Sequence, residues 1–257
     1  MSAIDSLWTW VHSARRRAKT FVGARPGLFF PLFRPRPAFD GLLVTTSTDI
    51  CIEGFPRSAN SFAVGAFRHA QPHSVEVAHH THVPANAIRA CEWGLPTLIL
   101  VRAPYDAIVS RIALSKETQR VGQNIGSPQQ RVSFAAWIHA WCSFYRAVAP
   151  HRDQERLLAV PFAAAIADMG RVIEHVNARY GTDFVPFDHT DEAVATVHAE
   201  QGYHAGPNDR REQLKADTRS DFDNALRSDP ALRSQMDAAE QLFESYVESA
   251  VVDSSPT

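Results

Sequence analysis

The sequence predicts an α/β fold in which helices cover both faces of a central parallel sheet. The stretch 49–70 passes from a short strand through a loop into a helix, because Ile50 to Phe55 alternates apolar residues with others and helical spacing resumes at Phe62. Residues 95–101 form a nearly unbroken apolar run, which is typical of a parallel strand covered on both faces. Because strand and helix patterns alternate along the chain, we expect a three-layer α/β/α arrangement.

The same patterns place the remaining elements in order. Strands are predicted at 50–55, 75–80, 96–102 and 157–162. Helices are predicted from Phe62 onward, after Pro84, and at 105–116, 131–148, 164–180 and 230–247. Pro84 suits a first helical turn, and Gly181 is the expected C-cap of the helix before it. The aromatic stripe of the 131–148 helix is interpreted as core, with an acceptor-binding surface as the alternative.

Residues 1–40 differ in composition from the rest and are interpreted as a basic, aromatic N-terminal arm, followed by one domain at 41–257. Seven basic residues lie among Trp and Phe, and Asp5 is the only acid before Asp40. Such a segment either lies on an anionic membrane surface or packs on the domain as an amphipathic helix and an extended arm. Because the apolar run from Leu28 to Phe33 would be costly to leave in water, packing on the domain is favoured.

Composition excludes several classes. A chain of 257 residues with 45% hydrophobic and 21% charged residues is typical of a globular protein. Its net charge of −2 gives no reason to expect nucleic-acid binding. The three cysteines lack C-x-x-C spacing and indicate reduced, buried thiols. Neither a membrane span nor a secretory signal is evident, so a cytoplasmic protein is expected.

The loop between the first strand and its helix is suited to an anion. Unpaired N–H groups and the helix dipole meet there, as in the phosphate-binding pattern G-x-x-x-x-G-K-[ST]. Gly54 and Ser61 match that pattern, but Ala59 replaces the second glycine and Asn60 replaces the lysine. Positive charge lies instead at Arg57, which could reach a bridging oxygen of a bound anion.

Three segments together resemble the sulfotransferases that use 3′-phosphoadenosine 5′-phosphosulfate (PAPS). Gly54-Phe-Pro-Arg-Ser-Ala-Asn-Ser-Phe62 resembles their 5′-phosphosulfate loop. The run from Val101 to Ser110, with Arg102 at a strand end, is similar to their 3′-phosphate motif, and Thr81-His-Val-Pro84 to the segment that carries a catalytic histidine. The resemblance implies a P-loop-like nucleotide-binding fold with PAPS as co-substrate. It implies cofactor contacts at Pro56, Arg57, Ser58, Ala59, Asn60, Ser61, Phe62, Arg102 and Ser110.

The same resemblance implies the catalytic roles. His82 would be the general base, which its ordinary pKa of about 6.5 suits, and Arg57 would neutralise the leaving phosphate. Glu76 is a reserve base. A zinc site at the neighbouring histidines is disfavoured, because no acid or cysteine nearby completes it. Residues 202–215 resemble only loosely the loop that closes over the 3′-phosphate, so Arg210 and Arg211 form either a phosphate clamp or a solvated charged face.

The expected activity is transfer of a sulfuryl group from PAPS to a hydroxyl or amine of a small molecule or glycan, without a metal. A P-loop phosphoryl-transfer enzyme is disfavoured by Asn60 and by the lack of a magnesium-binding aspartate after the 96–102 strand. A non-catalytic nucleotide-binding module is the other alternative, because Ala59 stands where the pattern has glycine. The acceptor pocket is expected to be built from 118–130, from parts of 184–206 and from the N-terminal arm.

Overall fold

The computed structural model describes residues 3–120, 133–200 and 209–250. Part of the predicted 118–130 loop, the end of the 184–206 segment and the C-terminal tail lie outside the described residues. The side chains of residues 3–9 are also outside this description.

A four-stranded parallel sheet forms the centre of the fold, in the order β2-β1-β3-β4. Its strands are β1 (Ile50–Gly54), β2 (Val77–His79), β3 (Thr97–Val101) and β4 (Leu158–Pro161). Ile52 pairs with His79 on one side and with Leu98 on the other. All four predicted strands are confirmed. β2 is shorter than the predicted 75–80 at both ends, and it ends at His79 because the backbone of His80 turns to φ 57° and leaves the extended region.

Helices make up most of the described chain. In order they are α1 (Ala3–Gly23), α2 (Pro26–Phe33), α3 (Asn60–Ala70), α4 (Pro84–Glu92), α5 (Pro104–Arg120), α6 (Phe134–Asp153), α7 (Phe162–Ala167), α8 (Met169–Tyr180), α9 (Asp191–Glu200), α10 (Asp209–Ser228) and α11 (Pro230–Glu248). A 3₁₀ turn covers Pro37–Phe39. None of these described helices is both long enough and apolar enough to cross a bilayer.

Two predicted segments fold differently in detail. The helix predicted at 164–180 is divided into α7 and α8 at Asp168. The extended backbone of Asp168 ends α7. Its carboxylate caps α8 by accepting a hydrogen bond from Arg171 N at 2.9 Å. Gly181 ends α8 with φ 66°, as predicted. Part of the predicted extended arm is instead helix α2, which Pro26 opens at a position where proline is tolerated.

Helices cover both faces of the sheet, which confirms the three-layer α/β/α fold. Side chains alternate along the buried strands, so Cys51 and Ile99 face the layer of α4, α5, α6 and α11, while Ile52 and Leu98 face the layer of α3, α7 and α8. The aromatic stripe of α6 contributes Trp137, which has no exposed surface, to the first of these cores. The core interpretation of that stripe is therefore confirmed.

The N-terminal arm packs on the rest of the protein. Helix α1 lies against α6 and α2 against α4, and Ser133 N donates to the Ser13 hydroxyl at 3.3 Å. Phe29 is buried and stacks on Phe33 with ring centroids 4.8 Å apart. Trp10 and Phe21 remain exposed on α1. Contact of the arm with an anionic membrane stays a prediction. The exposed rings of Trp10 and Phe21 would make that contact.

A buried ion pair joins α5 to α10, and its loss is a test of this packing. Glu117 Oε2 lies 2.6 Å from Arg211 Nε, and the two side chains are 0% and 2% exposed. We expect Glu117→Ala to lower the free energy of unfolding by about 3–5 kcal/mol, because a buried guanidinium loses its carboxylate. Urea denaturation monitored by circular dichroism measures this difference.

The matched control is Asp237→Ala, which removes the partner of Arg233 in a pair that is half exposed on both sides. Solvent screens such a pair, so we expect a change within about 1 kcal/mol. Similar, small losses in both variants would contradict the structural role of the Glu117–Arg211 pair.

Candidate functional site

A cavity of about 580 Å³ opens at the carboxyl edge of the sheet. The strand order reverses at β1, since β2 lies on one side of it and β3 and β4 on the other. The carboxyl ends of β1 and β3 thus form a topological switch point, where open α/β sheets bind ligands. Every strand contributes to the wall through the residues after it: Arg57, His82, Arg102 and Phe162 follow β1, β2, β3 and β4. The volume is in the range of small-molecule sites.

The loop after β1 has the backbone shape of an anion-binding site. Arg57 and Ala59 adopt φ of 73° and 69°, so Ser58 lies between two left-handed residues. Such alternation turns successive N–H groups toward one concave surface. Ala59 is the N-cap of α3 and has no side chain that could cap it. The N–H groups of the first turn, residues 60–62, therefore lack intrahelical partners at the end of α3 where the dipole is positive.

The structure explains why glycine and asparagine occupy positions 54 and 60, which the motif did not. A Cβ on Gly54 would lie 2.7 Å from the carbonyl oxygen of Leu100, so the close approach of β1 to β3 requires glycine. Asn60 Nδ2 donates to the carbonyl of Phe55 at 3.0 Å and closes the loop from inside. The residue that replaces the lysine of the phosphate-binding pattern thus holds the loop in shape.

The structure brings three predicted residues together in the wall. Arg57 Nε donates to Ser110 Oγ at 3.1 Å, and an Arg102 guanidinium nitrogen donates to the carbonyl of Arg57 at 2.9 Å. The Arg102 guanidinium also lies over the Phe162 ring, 4.2 Å from its centroid. Burial lowers the pKa of Arg57 to about 10 and lowers that of Arg102, and each guanidinium keeps its charge at neutral pH. Two fixed positive charges therefore lie side by side at the binding loop.

Glu53, which sequence reasoning did not identify as part of the site, positions the histidine segment. Its carboxylate has no exposed surface and accepts from Thr81 N at 2.9 Å, Thr81 Oγ at 2.6 Å, Asn86 Nδ2 at 3.2 Å and His82 N at 3.2 Å. Burial raises the pKa of Glu53, while these hydrogen bonds act against the rise. The signal in the sequence was an acid inside a buried strand, which requires donors nearby.

His82 lines the cavity in its neutral form. Its Nδ1 lies 3.2 Å from the carbonyl oxygen of Gly54, and because a carbonyl only accepts, Nδ1 carries the proton and Nε2 keeps the lone pair. Burial lowers the pKa of His82 to about 3. The charges of His80, Arg111 and Lys19 contribute to this lowering after burial, so these side chains are close to the ring.

The other residues near His82 support its position in different ways. His80 Nε2 and Ser61 Oγ are 2.9 Å apart, which ties the end of β2 to the first turn of α3. His80 and His82 both have positive φ, so the strand alternation expected of them ends at His79. Glu76, the reserve base, is exposed before β2 and is not part of the wall. Among the described residues, no three His, Cys, Asp or Glu side chains converge on a possible metal position.

The remaining predicted contacts are divided between the wall and its surroundings. Pro56, Ala59, Asn60, Ser61 and Phe62 line the cavity, and Ser58 is fully buried beside it.

Arg210 and Arg211 do not line the cavity. Arg210 is exposed, and Arg211 is buried in its pair with Glu117, although its charge helps to lower the pKa of Arg57. From α10 the wall takes Glu212, directly after Arg211, and Lys215, about one turn further along the helix. The phosphate contacts of Arg210 and Arg211 stay a prediction.

Sequence reasoning expected the N-terminal arm to contribute to the acceptor pocket but did not single out three basic residues of the wall. Arg16 and Lys19 come from α1, and Arg111 comes from α5 directly after Ser110. Their local signals were weak, because Arg16 and Lys19 belong to a basic run that resembles a solvated face. The spacing of three residues, which places both on one side of a helix, was the available indication.

Comparisons with known proteins include a distant structural likeness. No protein-family model matches the chain, and no curated protein sequence matches it. Among solved structures, it is similar to the crystal structure of mouse sulfotransferase SULT7A1 complexed with PAP, at 12% identity and a TM-score of 0.39. The match covers 62% of this chain and 66% of the mouse chain. A likeness at this level transfers no residue roles, so the roles below rest on this chain's own geometry.

The pKa of His82 gives a testable dependence on pH. It is about 3 in the folded chain against an ordinary 6.5, so as the pH falls below 6.5 the unfolded chain takes up a proton that the folded chain does not. The stability contribution is thus present above pH 6.5 and lost toward pH 3. We expect His82→Gln to make the unfolding free energy fall less steeply between pH 6.5 and about pH 4, measured by urea denaturation.

Glu53 contributes with the opposite sign and is present in both proteins, so it cancels in the comparison. Its raised pKa gives stability below pH 4.5 that is lost as the pH rises through the folded value. NMR titration of the His82 imidazole is the direct measurement. A midpoint near the ordinary value would show that the ring is open to water.

Proposed function

We propose that the protein is a PAPS-dependent sulfotransferase that moves a sulfuryl group to a hydroxyl or amine of an acceptor. The observation that carries this proposal is the convergence of three groups on one cavity at the switch point of the sheet. These groups are the loop of Arg57, the guanidinium of Arg102 and the neutral imidazole of His82. Together they offer an anion-binding loop, a second fixed cation and a base.

The residues present are suited to hold the donor. The first-turn N–H groups of α3 and the Arg57 side chain would bind the 5′-phosphosulfate, since they concentrate unpaired donors and positive charge at one point. Arg102 would bind the 3′-phosphate, and Phe162 offers an aromatic face for the purine. When bound, PAPS supplies an activated sulfuryl group. Catalysis then requires positioning and positive charge.

The proton and the electrons of the transfer have defined destinations. The acceptor oxygen or nitrogen forms a bond to sulfur as the S–O bond to the phosphate breaks, and that electron pair stays on the phosphate. Arg57 neutralises the charge that grows there. His82 Nε2, which keeps its lone pair because Nδ1 faces the Gly54 carbonyl, takes the proton of the acceptor and later releases it to water.

The basicity of His82 depends on what the cavity contains. With a pKa of about 3, the imidazole is a weak base, mainly because it is buried and also because His80, Arg111 and Lys19 lie nearby. A bound donor adds negative charge and raises the pKa toward the range in which a general base is effective. Binding of the donor would thus activate the base at the moment it is needed.

Two other functions are less compatible with the geometry. Phosphoryl transfer of the P-loop type uses a lysine and a magnesium-binding aspartate, but Asn60 bonds to the loop itself and β3 is followed by Arg102. The alternative of a binding module without catalysis rests on Ala59, which stands where the phosphate-binding pattern has glycine. Its left-handed backbone costs about 1 kcal/mol. Arg57, His80 and His82 share that strained conformation, and such strain is concentrated at functional sites.

The deciding experiment combines binding and turnover. Calorimetry with 3′,5′-adenosine bisphosphate without magnesium should show binding, and the purified chain should transfer sulfate from PAPS to members of a mixed panel of phenols, alcohols and amines. Magnesium-dependent ATP turnover would instead favour phosphoryl transfer. Binding with no transfer across the panel would leave a nucleotide-binding module.

His82 and Arg102 should separate chemistry from binding. We expect His82→Ala to lower the rate of sulfate transfer about 10²–10⁴-fold with little change in bisphosphate affinity, because a general base acts in the chemical step. Arg102→Ala should weaken bisphosphate binding by about 1.5–3 kcal/mol through the lost charge-assisted hydrogen bonds. Calorimetry with nucleotides that have and lack the 3′-phosphate measures the second effect.

Arg233→Ala is the control, since Arg233 is half exposed on α11 and does not line the cavity. It should change neither quantity. If His82→Ala lost affinity and turnover in parallel, the histidine would be structural. If Arg102→Ala weakened both nucleotides equally, Arg102 would not bind the 3′-phosphate.

A further inference from the structure

Three basic side chains of the wall have no role in the proposed binding of the donor. Arg16 and Lys19 on α1 and Arg111 on α5 all line the cavity, in addition to the Arg57–Arg102 pair. The ion pairs of the described residues include none of these three, so no carboxylate in that part of the chain lies within 4.0 Å of their charged groups. We call Arg16, Lys19 and Arg111 the second basic cluster.

Arg16 is held in place and its hydrogen-bonding capacity is not used. Its guanidinium lies over the Trp137 ring, 3.8 Å from the centroid, which fixes the side chain against α6. Its Nε is buried and has no hydrogen-bond partner among the described residues. A buried donor without a partner costs about 1–3 kcal/mol, so an anion that accepted this hydrogen bond would recover part of that cost.

The orientation of α1 does not follow the usual rule for a surface helix. Such a helix turns its apolar side to the core and its charges to water. Here Arg16 and Lys19 line the cavity. Trp10 and Phe21 are eleven residues apart, which is about three turns, so they share a different side of the helix. Their side chains are 68% and 54% exposed. The contact with Trp137 accounts for the position of Arg16 but not for that of Lys19, which also lines the cavity. A negatively charged ligand would interact with both side chains.

The second basic cluster adjoins the base. Arg111 follows Ser110, which accepts from Arg57, so α5 passes directly from the donor loop to this cluster. The charges of Arg111 and Lys19 both act on the His82 ring, and Arg111 and Lys19 act on each other. The cluster thus lies where a group bonded to the reacting hydroxyl or amine would extend from His82.

We propose that the acceptor carries an anionic group of its own, a carboxylate, sulfate or phosphate, which Arg16, Lys19 and Arg111 bind beside His82. This inference rests on the proposed function. Because a cavity of about 580 Å³ holds the donor and the reacting end of the acceptor together, the anion and the nucleophile belong to a small molecule or to one end of a larger one. An anion at this position also opposes the effect of the cluster on the pKa of His82.

The test uses two probes that differ in charge and little in shape. Calorimetry on the full chain with 3′,5′-adenosine bisphosphate present compares 4-hydroxybenzoate with 4-hydroxybenzamide, and 4-hydroxyphenyl phosphate is the second anion. Charge-assisted hydrogen bonds of about 1.5–3 kcal/mol give an expected preference of about 10- to 100-fold for the anions. The same preference is expected in kcat/KM for sulfate transfer from PAPS.

Variants assign the preference to the cluster. Arg16→Met and Lys19→Met should each lower the ratio of anionic to neutral affinity about tenfold. Lys19 is exposed, so its variant avoids a packing defect at Trp137. The control is Arg17→Met, an exposed residue of α1 that does not line the cavity, and it should leave the ratio unchanged.

Equal affinities for 4-hydroxybenzoate and 4-hydroxybenzamide, or a ratio that Arg16→Met and Lys19→Met do not alter, would overturn the inference. Failure of the proposed function is seen separately, as absence of bisphosphate binding or of sulfate transfer to any acceptor in the panel. The affinity ratio does not require turnover, so it decides the matter of the anion in either case.

Discussion

The Glu53 carboxylate accepts hydrogen bonds from the backbone N–H of Thr81, from the backbone N–H of His82 and from the side chain of Asn86. A buried charge without such donors would be expensive, so these contacts fix the segment that follows β2. Asn86 in turn donates to the carbonyl of Leu42 at 2.9 Å and accepts from Val44 N at 2.8 Å. One network therefore links the segment after the N-terminal arm, the first strand and the candidate base.

How much of this the sequence could predict depends on whether the cause is local. The strands follow from runs such as 95–101, and the loop of Arg57 follows from the residues between a strand and a helix, so both were predicted. The break at Asp168 depends on a single capping carboxylate and was missed. Glu53 was visible only as an acid in an apolar strand. Its partners lie 28 or more residues away, and periodicity carries no information on such contacts.

The second basic cluster shows the same limit at the level of whole elements. Arg16 reaches the cavity because α1 packs on α6 and its guanidinium rests on Trp137. Arg16 and Trp137 are far apart in sequence, and nothing within residues 1–40 specifies their contact. Composition separated these residues from 41–257 as an arm. The cavity wall crosses that boundary, so the part with the least regular composition contributes directly to the site.

Charge connects these observations into one account of the cavity. Arg57, Arg102 and Arg111 line a wall in which Glu212 is the acidic residue among the described lining residues, and Glu212 is already paired with Lys215 at 2.6 Å. Without ligands, burial keeps His82 neutral and weakly basic, and the charges of His80, Arg111 and Lys19 act in the same direction. Each anion that enters reduces the repulsion among the cations and raises the proton affinity of the imidazole. The basicity of His82 therefore depends on the charge that the cavity contains, which couples anion binding to the protonation of the imidazole.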